Sequence, residues 1–120
     1  MSQYCDLPST KSYNKPRRWL VSDLWIESNK METYEQDVEI LWERYKKIFC
    51  WTLYGEEINH DFFLKHMERI LKSDLYYPII LSEENYIMDG VHRLLKCKHL
   101  GLKTIKAVKF KTDPISIQIL

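Results

Sequence analysis

Hydrophobic positions along the chain follow two rhythms, separated by stretches with none. Residues 1–16 show no period: Pro8, Ser9, Thr10, Ser12, Asn14 and Pro16 favour turns, so this segment is expected to be a flexible arm preceding a domain at 17–120. Residues 17–22 read as a short strand closed by Asp23. From Thr33 the period lengthens. Tyr34, Val38, Leu41, Tyr45, Ile48 and Thr52 recur at three- and four-residue steps among Glu and Lys, predicting an amphipathic helix over 34–52 that ends at Gly55. A second helix is expected to start near Asn59 or Asp61 and to bury Phe62, Phe63, Met67, Ile70 and Leu71. Pro78 then fixes the exit, since the residue before a proline is pushed out of helical space.

Shorter signals follow. Pro78-Ile79-Ile80-Leu81 is a continuous apolar run suited to a central strand; residues 82–85 turn, and Tyr86-Ile87-Met88 returns. Residues 91–100 read as a short helix stopped by Gly101, residues 104–111 as a strand, and residues 115–119 as a half-buried strand with clean alternation. Asp113-Pro114 separates the last two. The class is therefore α+β: a single domain with a small mixed sheet and helices.

Composition narrows the picture. Among 120 residues stand 4 Trp, 8 Tyr and 4 Phe against only 3 Gly and 4 Pro, which argues against disorder. Lys and Arg number 18 and Asp and Glu 17, so bulk basicity does not mark a nucleic-acid binder. The charge is uneven, however. Seven Lys or Arg and no acid lie between Val91 and Thr112. Cys5, Cys50 and Cys97 are odd in number and widely spaced, which fits neither a disulfide framework nor a zinc knuckle and points to a reducing interior. No apolar run approaches the roughly 20 residues that span a bilayer, and the first residues lack a signal-peptide core. A cytoplasmic protein without membrane contact is expected.

One segment carries chemistry, Ile87-Met88-Asp89-Gly90-Val91-His92-Arg93-Leu94. An apolar strand runs into an Asp-Gly turn and a helix opens at once. Gly90 lets the backbone turn sharply and a ligand come close. The first N–H groups of the helix have no internal partner, and its dipole adds partial positive charge. A phosphate there would meet these amides together with His92 and Arg93. The same residues also read blandly: Asp89 as a helix cap, Asp-Gly as an ordinary turn, Arg93 as a solvated side chain. Asp89 would repel phosphate unless a metal or a cap hydrogen bond occupies it.

The series from Pro78-Ile79-Ile80-Leu81 through Asp89-Gly90-Val91-His92-Arg93 to Leu100-Gly101 and a following strand resembles the ParB/sulfiredoxin superfamily. A weaker echo lies at Val21-Ser22-Asp23-Leu24. The resemblance implies that Gly90, Val91, His92 and Arg93 hold the phosphates of a nucleoside di- or triphosphate, ATP, ADP or CTP, with magnesium near Asp89. It admits NTP hydrolysis or phosphoryl transfer as the reaction. Val91 stands where sulfiredoxins carry their catalytic Cys, so sulfinic-acid reduction is not expected. ParB-type CTP switches are richer in arginine here and are followed by a helix-turn-helix domain, which this chain does not show before Leu120. The free serine kinases of the superfamily imply a catalytic glutamate after the first strand, and Glu27 stands at a similar place. Glu27 and Asp89 are accordingly the candidate catalytic residues. The helix over 34–52 is an addition to the family pattern placed before the core motif, with a lid, a protein-partner surface or a homodimer contact as its candidate roles. The alternatives are a DNA-associated ParB-like regulator or nuclease, and a non-catalytic interaction module.

Other candidates are weaker. His92 and His99 are seven residues apart on one helix, about 10 Å along its axis and too far to share a metal. His60 and His66 fall on different helix faces and read as incidental. Arg93, Lys96, Lys98, Lys103, Lys106, Lys109 and Lys111 form a basic run whose strand lysines do not all point one way, so a small anion fits better than a polymer. Tyr76-Tyr77 reads as core packing or as the lining of a nucleotide pocket.

Overall fold

Ile79, Ile80 and Leu81 contain no polar residue because their strand has no solvent face. In the computed structural model, which describes residues 3–48 and 60–119, all three are at most 2% exposed. In chain order the elements are β1 (Tyr4–Leu7), β2 (Arg17–Leu20), α1 (Val21–Ser28), β3 (Tyr34–Asp37), α2 (Val38–Ile48), α3 (His60–Lys72), β4 (Ile79–Leu81), β5 (Ile87–Asp89), α4 (Val91–Leu100), β6 (Thr104–Lys109) and β7 (Gln118–Ile119). The α+β class holds, with two sheets rather than one. A mixed sheet has the order β3-β6-β4-β5, with β4 parallel to β6 and the outer pairings antiparallel. A smaller antiparallel sheet has the order β1-β2-β7.

The alternation of β4 divides the core. Ile79 and Leu81 join Ile87, Ile105 and Ala107 on the face covered by Val38, Leu41 and Tyr45 of α2 and by Leu94 and Cys97 of α4. Ile80 joins Met88 and Val108 on the opposite face, which packs against Cys5, Leu7, Trp19, Leu24 and Phe110. A strand buried on both faces reads as an unbroken apolar run, as β4 does. Each such side chain contributes about 1.5–3 kcal/mol by its removal from water.

Several expectations change. Residues 1–16 are not wholly a loose arm. Tyr4-Cys5-Asp6-Leu7 alternates outward and inward, Cys5 and Leu7 enter the core, and the strand pairs with β2. The loop beyond is tethered: Thr10 Oγ1 donates to Glu84 Oε1 at 2.6 Å, and the Tyr13 hydroxyl donates to Glu83. The strand expected over 17–22 stops at Leu20, because Val21, Leu24 and Ser28 turn one helical face inward. The helix expected from Tyr34 begins at Val38. Residues Tyr34–Asp37 are instead an edge strand, and Asp37 Oδ1 caps α2 by accepting from the Ile40 amide at 3.0 Å. This helix is core structure, since Val38, Leu41 and Tyr45 are buried; Glu39, Ile40 and Glu43 face outward. In α3, Ile70 is buried as expected while Leu71 is exposed. The expected helix end at Gly55 and cap at Asn59 lie outside the described residues. Ile115 is 94% exposed, so the last strand shrinks to Gln118–Ile119.

Arg17 and Asp113 link the small sheet to the rest. Arg17 Nη1 lies 2.8 Å from Asp113 Oδ2 with both side chains buried, and Asp113 Oδ1 accepts from the Glu83 amide at 2.7 Å. The Arg17 guanidinium also lies over the rings of Tyr13 and Trp19. Cys5 and Cys97 are free, buried thiols, and burial pushes Cys5 up to about 12. Among the described residues no helix is long and apolar enough to cross a membrane.

Candidate functional site

The junction between β5 and α4 forms as expected, at a left-handed Gly90 with φ 105° and ψ 21°. Gly90 is required twice over. A side chain is strained at that φ, and a Cβ there would stand 2.5 Å from Ile79 Cγ2 and 3.0 Å from Arg93 Nη1. The Gly90 carbonyl accepts from the amides of Arg93 and Leu94 at 3.0 and 3.1 Å. No side chain caps the helix, so Asp89 is not its cap. The amides of Val91 and His92 have no carbonyl a turn earlier within α4 to bond. Uncapped amides and the positive end of the dipole thus meet at one point.

The neighbouring side chains are more committed than the sequence suggests. Arg93 is four-fifths buried; its Nη1 donates to the Pro78 carbonyl at 2.9 Å and lies 3.7 Å from Asp89 Oδ2. It therefore clamps the entry of β4 to the start of α4. Asp89 Oδ2 also accepts from Trp25 Nε1 at 2.9 Å. With an indole N–H and a guanidinium already on that oxygen, Asp89 is a poor first ligand for a cation. Among the described residues no group of three His, Cys, Asp or Glu stands close enough to hold a metal. The residues therefore do not fit the expected magnesium site at Asp89.

His92 turns towards α3. Its Nε2 lies 3.3 Å from His66 Nδ1, with ring centroids 5.5 Å apart. Burial pushes the His92 pKa below the ordinary histidine value, and His66 and Arg69 push it the same way. His92 is thus neutral at pH 7 and contributes no fixed positive charge to the helix start. Glu27 lies on α1 rather than directly after a strand; its carboxylate is half exposed and pairs with Lys30 Nζ at 3.5 Å.

The structure adds two residues that sequence reasoning missed. Trp25 is 45% exposed and brings its indole beside Asp89, and His66, read as incidental, meets His92. The spacing of Val21, Leu24 and Ser28 was the available signal for the helix that carries Trp25. Nothing local signalled His66.

The basic run is largely spent within the molecule. Lys96 Nζ donates to the carbonyls of Leu71 and Ser73 at the end of α3, at 3.0 and 2.7 Å. Lys98 pairs with Glu39, and Lys106 lies over the Tyr76 ring at 4.6 Å. Tyr76 and Tyr77 are 71% and 57% exposed, so they are not core. No protein family, curated protein or solved structure matches the chain.

Proposed function

We propose that this α+β domain binds the phosphate of a nucleoside di- or triphosphate at the start of α4. One observation carries the reading: α4 opens at a left-handed glycine with no side-chain cap, which leaves its first amides for an anion. The resemblance of the Asp89-Gly90-Val91-His92-Arg93 segment to the ParB/sulfiredoxin superfamily supports the same ligand. Val91 and His92 supply amides, Gly90 supplies access, and the exposed Trp25 supplies a flat apolar surface beside them on which a base can stack. Arg93 acts through structure, holding the turn in shape while its partly exposed fork faces the same end of the helix. The reading is one of binding rather than of catalysis, because Glu27 is paired with Lys30 and Asp89 with Trp25 and Arg93. A nucleic-acid polymer is disfavoured by the internal contacts of Arg93, Lys96, Lys98 and Lys106.

Titration of labelled protein with ADP, ATP and CTP, followed by amide and indole nitrogen shifts, tests the reading. Saturable shifts centred on Gly90, Val91, His92 and the Trp25 indole are expected. No saturation by about 1 mM nucleotide, or shifts centred elsewhere, would sink it.

A further inference from the structure

Arg17 and Arg18 are neighbours on β2, yet they use their guanidinium groups differently. Arg18, partly exposed, turns its Nε–Nη2 edge to Asp6: Nε donates to Oδ1 at 2.7 Å and Nη2 to Oδ2 at 3.0 Å. Arg17 is only 7% exposed. Its Nη1 takes Asp113, but Nε and Nη2 are buried and meet no hydrogen-bond acceptor among the described residues. Buried polar side-chain atoms are with few exceptions hydrogen-bonded, so two orphaned donors on one edge of one side chain call for a ligand. We propose that the Nε–Nη2 edge of Arg17 binds a small oxyanion, a carboxylate or a phosphate, in the bidentate way that Arg18 holds Asp6.

The surroundings leave that edge for the anion. The rings of Tyr13 and Trp19 lie over the guanidinium, with Cζ 3.5 and 4.8 Å from their centroids. The five N–H donors point outward in the guanidinium plane, and Asp113 holds one corner of it. Asp113 is itself shared, because its Oδ1 accepts from the Glu83 amide. Glu83 is engaged by the Tyr13 hydroxyl. Neither carboxylate serves the Nε–Nη2 edge. A guanidinium stays charged across the working pH range, and its planar fork matches two oxygens of a carboxylate or phosphate. Entry is governed by the segment between β1 and β2. Tyr13 lies over Arg17, and Thr10 and Tyr13 tie this strap to Glu84 and Glu83 in the β4–β5 turn, so the anion enters as the strap lifts. The proposal is independent of nucleotide binding, since it uses neither the start of α4 nor Trp25.

Titration of the whole labelled chain with sodium acetate and, separately, inorganic phosphate, at neutral pH and constant ionic strength, tests it. The readouts are the arginine Nε–H resonances and the indole N–H of Trp19. Saturable shifts of the Arg17 Nε–H and the Trp19 indole are expected, with millimolar affinity, and the tighter of the two anions names the ligand class. Arg17→Lys keeps the charge but loses the fork, and the Trp19 indole is expected to report affinity weakened about tenfold or more. Arg18→Lys, whose edge already faces Asp6, retains the affinity. If Arg17→Lys does not melt cooperatively, the Arg17 Nε–H of the unaltered chain decides alone. Shifts that stay linear to about 50 mM of either anion, which would mean an adventitious ion only, would overturn the proposal. So would unchanged affinity in folded Arg17→Lys, shifts centred on Arg18 or on Gly90 and Val91, or an Arg17 Nε–H that contacts water alone.

Discussion

Gly90 opens α4 at φ 105° and Gly101 closes it at φ 71°, so both ends of one helix sit in the backbone region that side chains resist. Their surroundings differ. Around Gly101 a Cβ would meet nothing within 4 Å, whereas at Gly90 it would run into Ile79, which is fully buried. The C-terminal glycine completes a cap: the Leu102 amide donates to the Cys97 carbonyl at 3.0 Å and the Gly101 amide to that of Lys98 at 3.2 Å, closing the last turn. The N-terminal glycine caps nothing with a side chain and presses the turn onto β4. One end of the helix has its orphan groups satisfied by its own backbone; the other leaves them open. The closed end is about stability, and the open end, which no side chain caps, is the one we propose for the phosphate.

Substitution at the two glycines puts that contrast to its hardest test. Gly90→Ala combines backbone strain of about 1–3 kcal/mol with an overpacked contact of similar size, and the second part has no escape because Ile79 is locked in β4. A loss of about 3 kcal/mol or more is expected in urea denaturation, a large share of the 5–15 kcal/mol that holds a domain together. Arg93→Met comes next. It leaves the Pro78 carbonyl without its charged donor and Asp89 without its nearest cation, for an expected loss of about 2 kcal/mol by the same measurement. Gly101→Ala is expected to cost only about 1 kcal/mol, since it carries strain without collision. Equal losses at Gly90 and Gly101 would show that the approach to Ile79 does not matter and would erase the difference between the two ends.

The same helix shows what a sequence discloses about its own folding. Gly101 after a helical stretch, Asp-Gly before one, and the unbroken Ile79-Ile80-Leu81 are local signals, and each marks the element expected of it. Where two signals compete, the reading slips. Tyr34 continues the helical spacing of Val38 and Leu41, yet pairing with β6 takes residues 34–37 into a strand, with Asp37 as the true helix start. Val21, Leu24 and Ser28 have helical spacing, but they follow a strand without glycine, proline or a side-chain cap to mark the change. Cys5 and Leu7 alternate over too short a run to outweigh the prolines after them. The candidate site divides in the same way. Asp89, Gly90 and Arg93 are adjacent in sequence and were legible. Trp25 reaches Asp89 across 64 residues and His66 reaches His92 across 26, and only the packing of α1 and α3 decides those meetings.

The smallest expected effect concerns His92, which separates the two ends of α4 by pH rather than by substitution. Its folded pKa lies below the ordinary value of 6.5, chiefly because burial disfavours the charged ring, with His66 and Arg69 adding to the same direction and Asp89 opposing it. The sign follows from which state binds the proton more readily. Above 6.5 the ring is neutral in both states and its contribution to stability is fully present. As pH falls from 6.5 through the lower folded value, the unfolded chain takes up a proton first, and stability declines until the folded ring is protonated as well. His99, in the last turn of the same helix, is exposed. Stability measured by urea denaturation from neutral pH down to about pH 5 is therefore expected to fall less steeply in His92→Gln than in the unaltered chain, with His99→Gln as the exposed comparison. If both variants flatten the curve alike, the ring at the open end of α4 carries no special burden, and its half-buried meeting with His66 is without thermodynamic weight.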